Sequence, residues 1–269
     1  MRNVKSSGIQ VSPLSPTLGS SRRHFLSAVA TLGGLLAMVV PARPMGNYDQ
    51  NRHGPHCFLK GTQIRTPQGE RLVEDLRIGD LVLTVSGDTK PIKWIGRMRF
   101  ERDGRTSWDK AVAPIRIACG AFNGDLPHSD LYVSYGHCFL INGLLISAGD
   151  LINGSSITSW QPPDMDVFEY LHIELESHDV ILANGAPAET LPGDASHGEF
   201  DNFDEYVALY GAALTPQTPY APIIIAGSGR RQALRSHVRG VLAPLYDRRQ
   251  PLEIIRDELA RQAHRSSAA

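Results

Sequence analysis

The chain has 269 residues, a formal net charge of −1, 42% hydrophobic and 20% charged residues. That balance excludes a strongly basic nucleic-acid binder and gives no global field to draw an anionic membrane. Three cysteines, Cys57, Cys119 and Cys138, are too few for a disulfide framework. They leave two arrangements open: a Cys119–Cys138 bridge that spares Cys57, or three free thiols with two of them buried.

Residues 1–42 read as an export signal. Ser21-Arg22-Arg23-His24-Phe25-Leu26 is a twin-arginine pattern behind a basic start, Arg2 and Lys5. It leads into a 16-residue apolar run from Phe25 to Val40, shorter than the ~20 residues of a bilayer span. Val40-Pro41-Ala42 puts small residues where a signal peptidase reads, so cleavage is expected after Ala42. A short uncleaved membrane anchor is the alternative. The twin-arginine route implies a domain that folds in the cytoplasm and is then delivered to the periplasm or secreted, with no stable membrane span once the signal is gone. Residues 43–56 form a short N-terminal segment, and the 227 residues after Ala42 suffice for one large β domain and a tail.

From 57 to 191 the chain reads as β throughout. Gln63–Thr66 and Arg71–Val73 flank the turn Pro67-Gln68-Gly69, and Leu81–Val85 and Pro91–Ile95 flank Ser86-Gly87-Asp88. A polar, exposed loop is expected from Arg99 to Asp109. Leu131–Ile141 meets Leu144–Ser147 across Asn142-Gly143, and His172–Leu182 meets Ala186–Glu189 across Asn184-Gly185. Asn-Gly is the strongest short hairpin cue, because both residues tolerate the positive φ of a type I′ turn. The one helical hint is a single turn near Val73–Arg77. Hairpins without long helices predict an all-β, closed or strongly curled antiparallel structure.

After 191 the character changes. Residues 192–227 read as a linker with a short strand at Ala221–Ala226, since Leu191–Glu205 is Gly- and acid-rich without apolar periodicity. Residues 228–269 form a basic helical tail, with helices expected over Gly229–Val241 and from Pro251 onward through Leu252, Ile254, Ile255 and Leu259. Nine arginines against four acids in that tail fit an anion contact or, more plainly, a solvated helix face. Tyr246 is the one aromatic among them, so the basic residues are not interleaved with aromatics as in a nucleic-acid surface.

Three ordered blocks carry a family resemblance. The first is Cys57-Phe58-Leu59-Lys60-Gly61-Thr62-Gln63-Ile64 with Gly69, Val73-Glu74-Asp75-Leu76 and Gly79-Asp80-Leu81-Val82-Leu83-Thr84. The second is Ser134-Tyr135-Gly136-His137 ahead of an Asn-Gly hairpin. The third is His172 to Gly185, with His178 inside it. Together they resemble the Hint domain, the self-cleaving module shared by hedgehog C-terminal regions and inteins. The resemblance implies an all-β, horseshoe-like fold over 57–191, with a short mixed or helical C-terminal tail outside it. It also implies that the substrate is the protein's own N-terminal segment, at the His56–Cys57 bond.

The chemistry implied by the resemblance needs a nucleophile, a polarised amide and an acid for the leaving nitrogen. Cys57 supplies the thiol, whose free pKa near ~8.5 leaves little thiolate at neutral pH but high intrinsic nucleophilicity. The family's Thr-x-x-His motif, with Ser as a variant, corresponds to Ser134-Tyr135-Gly136-His137. On that basis His137 protonates the amide nitrogen of Cys57 and the Ser134 hydroxyl helps hold the scissile amide. His178 falls where the late segment carries a histidine near the reaction centre, and His172 where an assisting polar residue stands. A strand histidine facing solvent is the alternative for each. No cofactor and no metal are implied, and the oligomeric state is not legible.

The departures limit the reaction. Inteins end in His-Asn five residues beyond the last turn, and that Asn cyclises. Here the residues are Glu189-Thr190, followed by Leu191. Asn cyclisation is unavailable, so splicing is excluded, leaving an N-to-S acyl shift and a thioester resolved by another nucleophile. Hedgehog resolves it with a sterol, but no sterol-binding segment is evident, and His56 stands where hedgehog has glycine. A lipoprotein reading of Cys57 fails for want of a lipobox. Three functions therefore remain: self-processing at His56–Cys57, a retained inactive fold acting as an exported structural or interaction domain, and a cysteine-dependent hydrolase acting in trans.

Overall fold

The computed structural model describes residues 56–102, 107–122, 125–193, 195–214, 217–224 and 251–266. The export signal and the helix expected over 229–241 lie outside them. The described strands, in chain order, are β1 (Phe58–Leu59), β2 (Gln63–Thr66), β3 (Gly69–Leu72), β4 (Leu81–Leu83), β5 (Thr89–Pro91), β6 (Trp94–Glu101), β7 (Ile115–Ile117), β8 (Leu131–Val133), β9 (Cys138–Ile141), β10 (Leu144–Ser147), β11 (Ile157–Ser159), β12 (Val167–Glu174), β13 (Val180–Ala183), β14 (Ala186–Glu189) and β15 (Ile223–Ile224). Short 3-10 turns occupy Val73–Asp75, Ala148–Leu151 and Ala195–Glu199, and two α-helices follow, α1 (Phe203–Tyr210) and α2 (Pro251–Ser266). The fold is all-β with short helices towards the C-terminus.

Two sheets organise the strands. One has the order β11-β7-β8-β1-β12-β6, the other β15-β10-β9-β14-β13-β2-β3, and β4 pairs only with β5. Pairing is antiparallel except for β15, which runs parallel to β10. Both Asn-Gly hairpins form as expected. Asn142 and Asn184 take φ of 52° and 46°, and Gly143 and Gly185 follow at 77° and 81°, the left-handed pair a type I′ turn needs. The Asn184 side chain also accepts from Gln63 N at 2.8 Å and donates to the Asp130 carbonyl at 3.0 Å. One turn thus pins β2 and the approach to β8.

The loose alternation in the sequence has a physical cause: strands are buried on both faces. Successive residues of β1 divide between two cores. Phe58 packs with Ile64, Leu131 and Leu171 in the larger one. Cys57 and Leu59 join Trp94, Phe168 and Tyr170 in the other. A one-residue slip would exchange these faces and expose several side chains whose burial each contributes about 1.5–3 kcal/mol.

Several expectations are corrected. Leu131–Ile141 is not one strand: β8 ends at Val133, residues 134–137 turn, and β9 begins in the other sheet. His172–Leu182 likewise divides between β12 and β13. The expected exposed loop starting at Arg99 is strand as far as Glu101, because β6 pairs with β12 along its whole length. At its far end Trp108 is buried and donates Nε1–H to the Met165 carbonyl at 3.1 Å. Within the expected linker, α1 and the turn before it are ordered by Phe200 and Tyr206, both packed edge-on against Trp94. An eight-residue helix held by two aromatic anchors offers too little periodicity to read. Asn202 and Asp201 accept from Arg97 N and Arg99 N, both at 2.8 Å, which closes off the edge strand β6. Helix α2 begins at Pro251 as expected and buries Leu252, Ile255 and Leu259 against the larger core.

The turn between β8 and β9 is fixed from outside by the segment after β10. Ala148 N donates to the His137 carbonyl at 2.8 Å and Gly149 N to the Tyr135 carbonyl at 2.9 Å. A Cβ on Gly149 would lie 2.2 Å from Cζ of the Tyr135 ring, so only glycine lets the two segments meet. Gly149→Ala is therefore expected to cost about 1–3 kcal/mol through overpacking. Urea unfolding measures this, and an unchanged midpoint would contradict the packing described.

Candidate functional site

Topology brings distant residues to one place. Cys57 enters β1, which lies between β8 and β12. The turn leaving β8 carries Ser134 and ends on His137, His172 lies in β12, and β14 ends at Glu189 beside β9. Beyond β14, Leu191 N returns to the Ile173 carbonyl at 2.7 Å and its side chain joins the same core as Cys57. Both ends of the β module therefore meet.

Ser134 grips the backbone of Cys57 on both sides. Cys57 N–H donates to Ser134 Oγ at 2.7 Å, and Ser134 N–H donates to the Cys57 carbonyl at 2.9 Å. The Ser134 hydroxyl also lies 3.4 Å from that carbonyl. The amide nitrogen of the His56–Cys57 peptide is thereby fixed in direction, in a site where Cys57 and His137 have no exposed surface and Ser134 has 1%.

His137 and His172 sit together, ring centroids 5.0 Å apart, with Phe58 4.2 Å from the His137 ring. No ring nitrogen of either makes a hydrogen bond of good geometry among the described residues. Burial pushes His137 down to about 4, against the pull of the Glu189 charge and of the His56 backbone, whose carbonyl belongs to the His56–Cys57 bond. Burial likewise pushes His172 well below its ordinary value, and His137 adds to the effect. The Cys57 thiol is pushed well up, mainly by burial and then by the Glu199 charge. At neutral pH the Cys57 thiol and the His137 imidazole are both uncharged.

One residue with a place in this centre was not singled out from the sequence. Glu189 is 1% exposed and accepts from Cys138 N at 2.9 Å; His56 Nδ1 stands 2.9 Å from Oε1 and His178 Nε2 3.5 Å from Oε2. Burial alone would raise its carboxyl, but contacts from the His178 and His56 side chains hold it well below the usual range. His178 is not a solvent-facing strand residue: its side chain is fully buried and Nδ1 accepts from Tyr220 N at 2.9 Å. That bond leaves the proton on Nε2, towards Glu189. The signal for Glu189 was its place on an otherwise apolar strand, Ala186-Pro187-Ala188-Glu189.

A buried cysteine heading a two-sheet β module, its amide held by the serine of a Ser-x-x-His turn, has the layout of a hedgehog/intein self-processing domain. The family described as "Hint domain" matches residues 56–195, just over half of the chain, and the chain belongs to that family. Among solved structures, a bacterial intein-like domain from Clostridium thermocellum is 13% identical, with a TM-score of 0.37 over 51% of this chain and 98% of that one. A DnaB intein from Synechocystis sp. PCC 6803 is 11% identical, with a TM-score of 0.34 over 50% and 99%. No curated protein matches the chain. Among the described residues no helix is long and apolar enough to cross a membrane.

All three cysteines are free; Cys57 and Cys138 are buried and Cys119 is exposed. A thiol reagent is expected to modify one thiol, Cys119, in the folded protein and all three after denaturation. Modification of Cys57 as fast as Cys119 in the folded protein would contradict the closed site.

Proposed function

We propose that the module cleaves its own chain at His56–Cys57 through an N-to-S acyl shift. Cys57 Sγ attacks the carbonyl carbon of His56 as the C–N bond to Cys57 breaks. His137, neutral beforehand, takes the thiol proton and hands it to the departing nitrogen. The product is a thioester between the His56 carbonyl and Cys57 Sγ, with a free amine on Cys57. Water then adds to the thioester carbon, releasing His56 as a carboxylic acid and restoring the thiol. The observation that carries this reading is the two-sided hold of Ser134 on Cys57 beside a buried His137 that the His56 backbone reaches.

The last step of splicing has no reagent here, because Glu189-Thr190-Leu191 replaces the cyclising asparagine. A hydrolase acting in trans is disfavoured by the complete burial of Cys57, which leaves an external substrate no approach. The retained inactive fold draws support from the short piece to be released, the 14 residues from Arg43 to His56.

Cys57→Ala is expected to abolish cleavage, and His137→Ala to slow it by about 10²–10⁴-fold, the usual worth of positioned acid–base help. Fragment formation followed by electrophoresis and mass spectrometry checks both. Cleavage that persists in Cys57→Ala would overturn the mechanism.

We also propose export through the twin-arginine machinery, on the strength of Arg22-Arg23 and the apolar run behind them. Arg22→Lys with Arg23→Lys is expected to keep the protein in the cytoplasm, because the guanidinium pair is read by a receptor and charge alone does not replace it. Cell fractionation checks this, and unchanged periplasmic recovery of the double variant would refute it.

A further inference from the structure

We propose that residues 195–210, beyond the last strand of the module, are a latch closed over Cys57, and that its opening decides which nucleophiles reach the thioester. The latch itself stands on contacts in the folded chain. Its effect on the thioester rests on the proposed cleavage.

The Cys57 side chain lies in the smaller core, which Leu191, Phe200 and Tyr206 complete from beyond β14. Phe200 and Tyr206 are only 5% and 3% exposed. The other walls are fixed. Trp94, Phe168 and Tyr170 lie on β6 and β12, which pair along their whole length. The loop with Trp108 and Val112 is tied down by Tyr170 Oη, which donates to the Val112 carbonyl at 2.7 Å, and by the Trp108–Met165 bond. Residues 195–210 pair with no strand, so theirs is the wall that can lift.

A buried polar set holds that wall shut. His197, fully buried, stacks on Trp94 at 5.6 Å and stands 2.8 Å from Glu174 Oε2. Glu174, equally buried, accepts from Lys93 Nζ at 2.7 Å, and that ammonium lies 5.4 and 5.2 Å from the Tyr206 and Tyr210 rings. Removing one member would strand a buried charge, so the set holds or parts as a unit. Beneath it Gly96 leaves bare backbone for the Phe200 ring: a Cβ there would lie 2.5 Å from Phe200 Cδ1. Glu199, in the same segment, is close enough for its charge to act on the Cys57 thiol.

A short helix on side-chain anchors opens at less cost than the whole fold. The acyl shift is internal and needs no opening. Water or a thiol adding to the thioester carbon does need one, and a small thiol passes a partial opening that a bulkier one does not.

The test uses the full chain carrying His137→Ala, in which the proposed cleavage is slowed, and iodoacetamide as the probe. Only peptides that retain the His56–Cys57 bond are counted. Phe200→Ala, which removes an anchor, and Gly96→Ala, which wedges the ring away, should each speed alkylation of Cys57 by about 100-fold or more. Cys138, buried in a separate cluster, should stay protected and so reports any general unfolding. Cys57 as protected in both variants as in their parent, or Cys57 and Cys138 becoming reactive together, would overturn the latch. With His137 present, Gly96→Ala should speed release by glutathione more than release by dithiothreitol, and an unchanged ratio of the two rates would overturn the selectivity. Absence of cleavage under any condition would count against the proposed function, and the alkylation rates would still decide the latch.

Discussion

The rest of the site depends on the exchange of hydrogen bonds between Cys57 and Ser134. Cys57 N–H to Ser134 Oγ and Ser134 N–H to the Cys57 carbonyl join the first residue of the β module to the turn that carries His137. That turn is also where the chain leaves one sheet for the other, so the same bonds tie the two sheets together beside Cys57. Removing the hydroxyl would leave a buried amide unsatisfied, at about 1–3 kcal/mol. The serine therefore serves the fold and fixes the direction of the Cys57 amide together.

Around this hold, burial separates two kinds of polar group. Cys57, His137 and His172 are closed off from water and pushed towards their uncharged forms. Glu189, equally buried, keeps its charge because His56, His178 and the Cys138 N–H are gathered on it. A neutral thiol and a neutral imidazole suit a reaction in which one proton moves from sulfur to nitrogen through the ring, with no ion to be desolvated beforehand. The Glu189 charge lies against His56, on the acyl side of the His56–Cys57 bond.

Local cues made much of the fold legible. Asn142-Gly143 and Asn184-Gly185 announced hairpins because their positive φ values are a property of the residues themselves. Pro251 marked the start of α2 for the same local reason. The breaks at 134–137 and 175–179 were not legible, since a strand that changes sheets keeps its β character in sequence. Nor was α1, whose place depends on Trp94 more than a hundred residues earlier and on Gly96 leaving room for the Phe200 ring. At the site, Cys57, Ser134, His137 and His178 stood in recognisable blocks. Glu189 did not, because its partners His56 and Cys138 lie 133 and 51 residues away.

Membership of the Hint domain family gives the fold, and the geometry at Cys57 gives the reason to expect chemistry from it. The most direct measurement is intact-mass spectrometry of the purified full chain, incubated with and without a small thiol such as dithiothreitol. The account predicts a species that begins at Cys57, formed faster with the thiol because a thioester yields to it far more readily than an amide. A mass that retains the His56–Cys57 bond under both conditions would contradict self-processing.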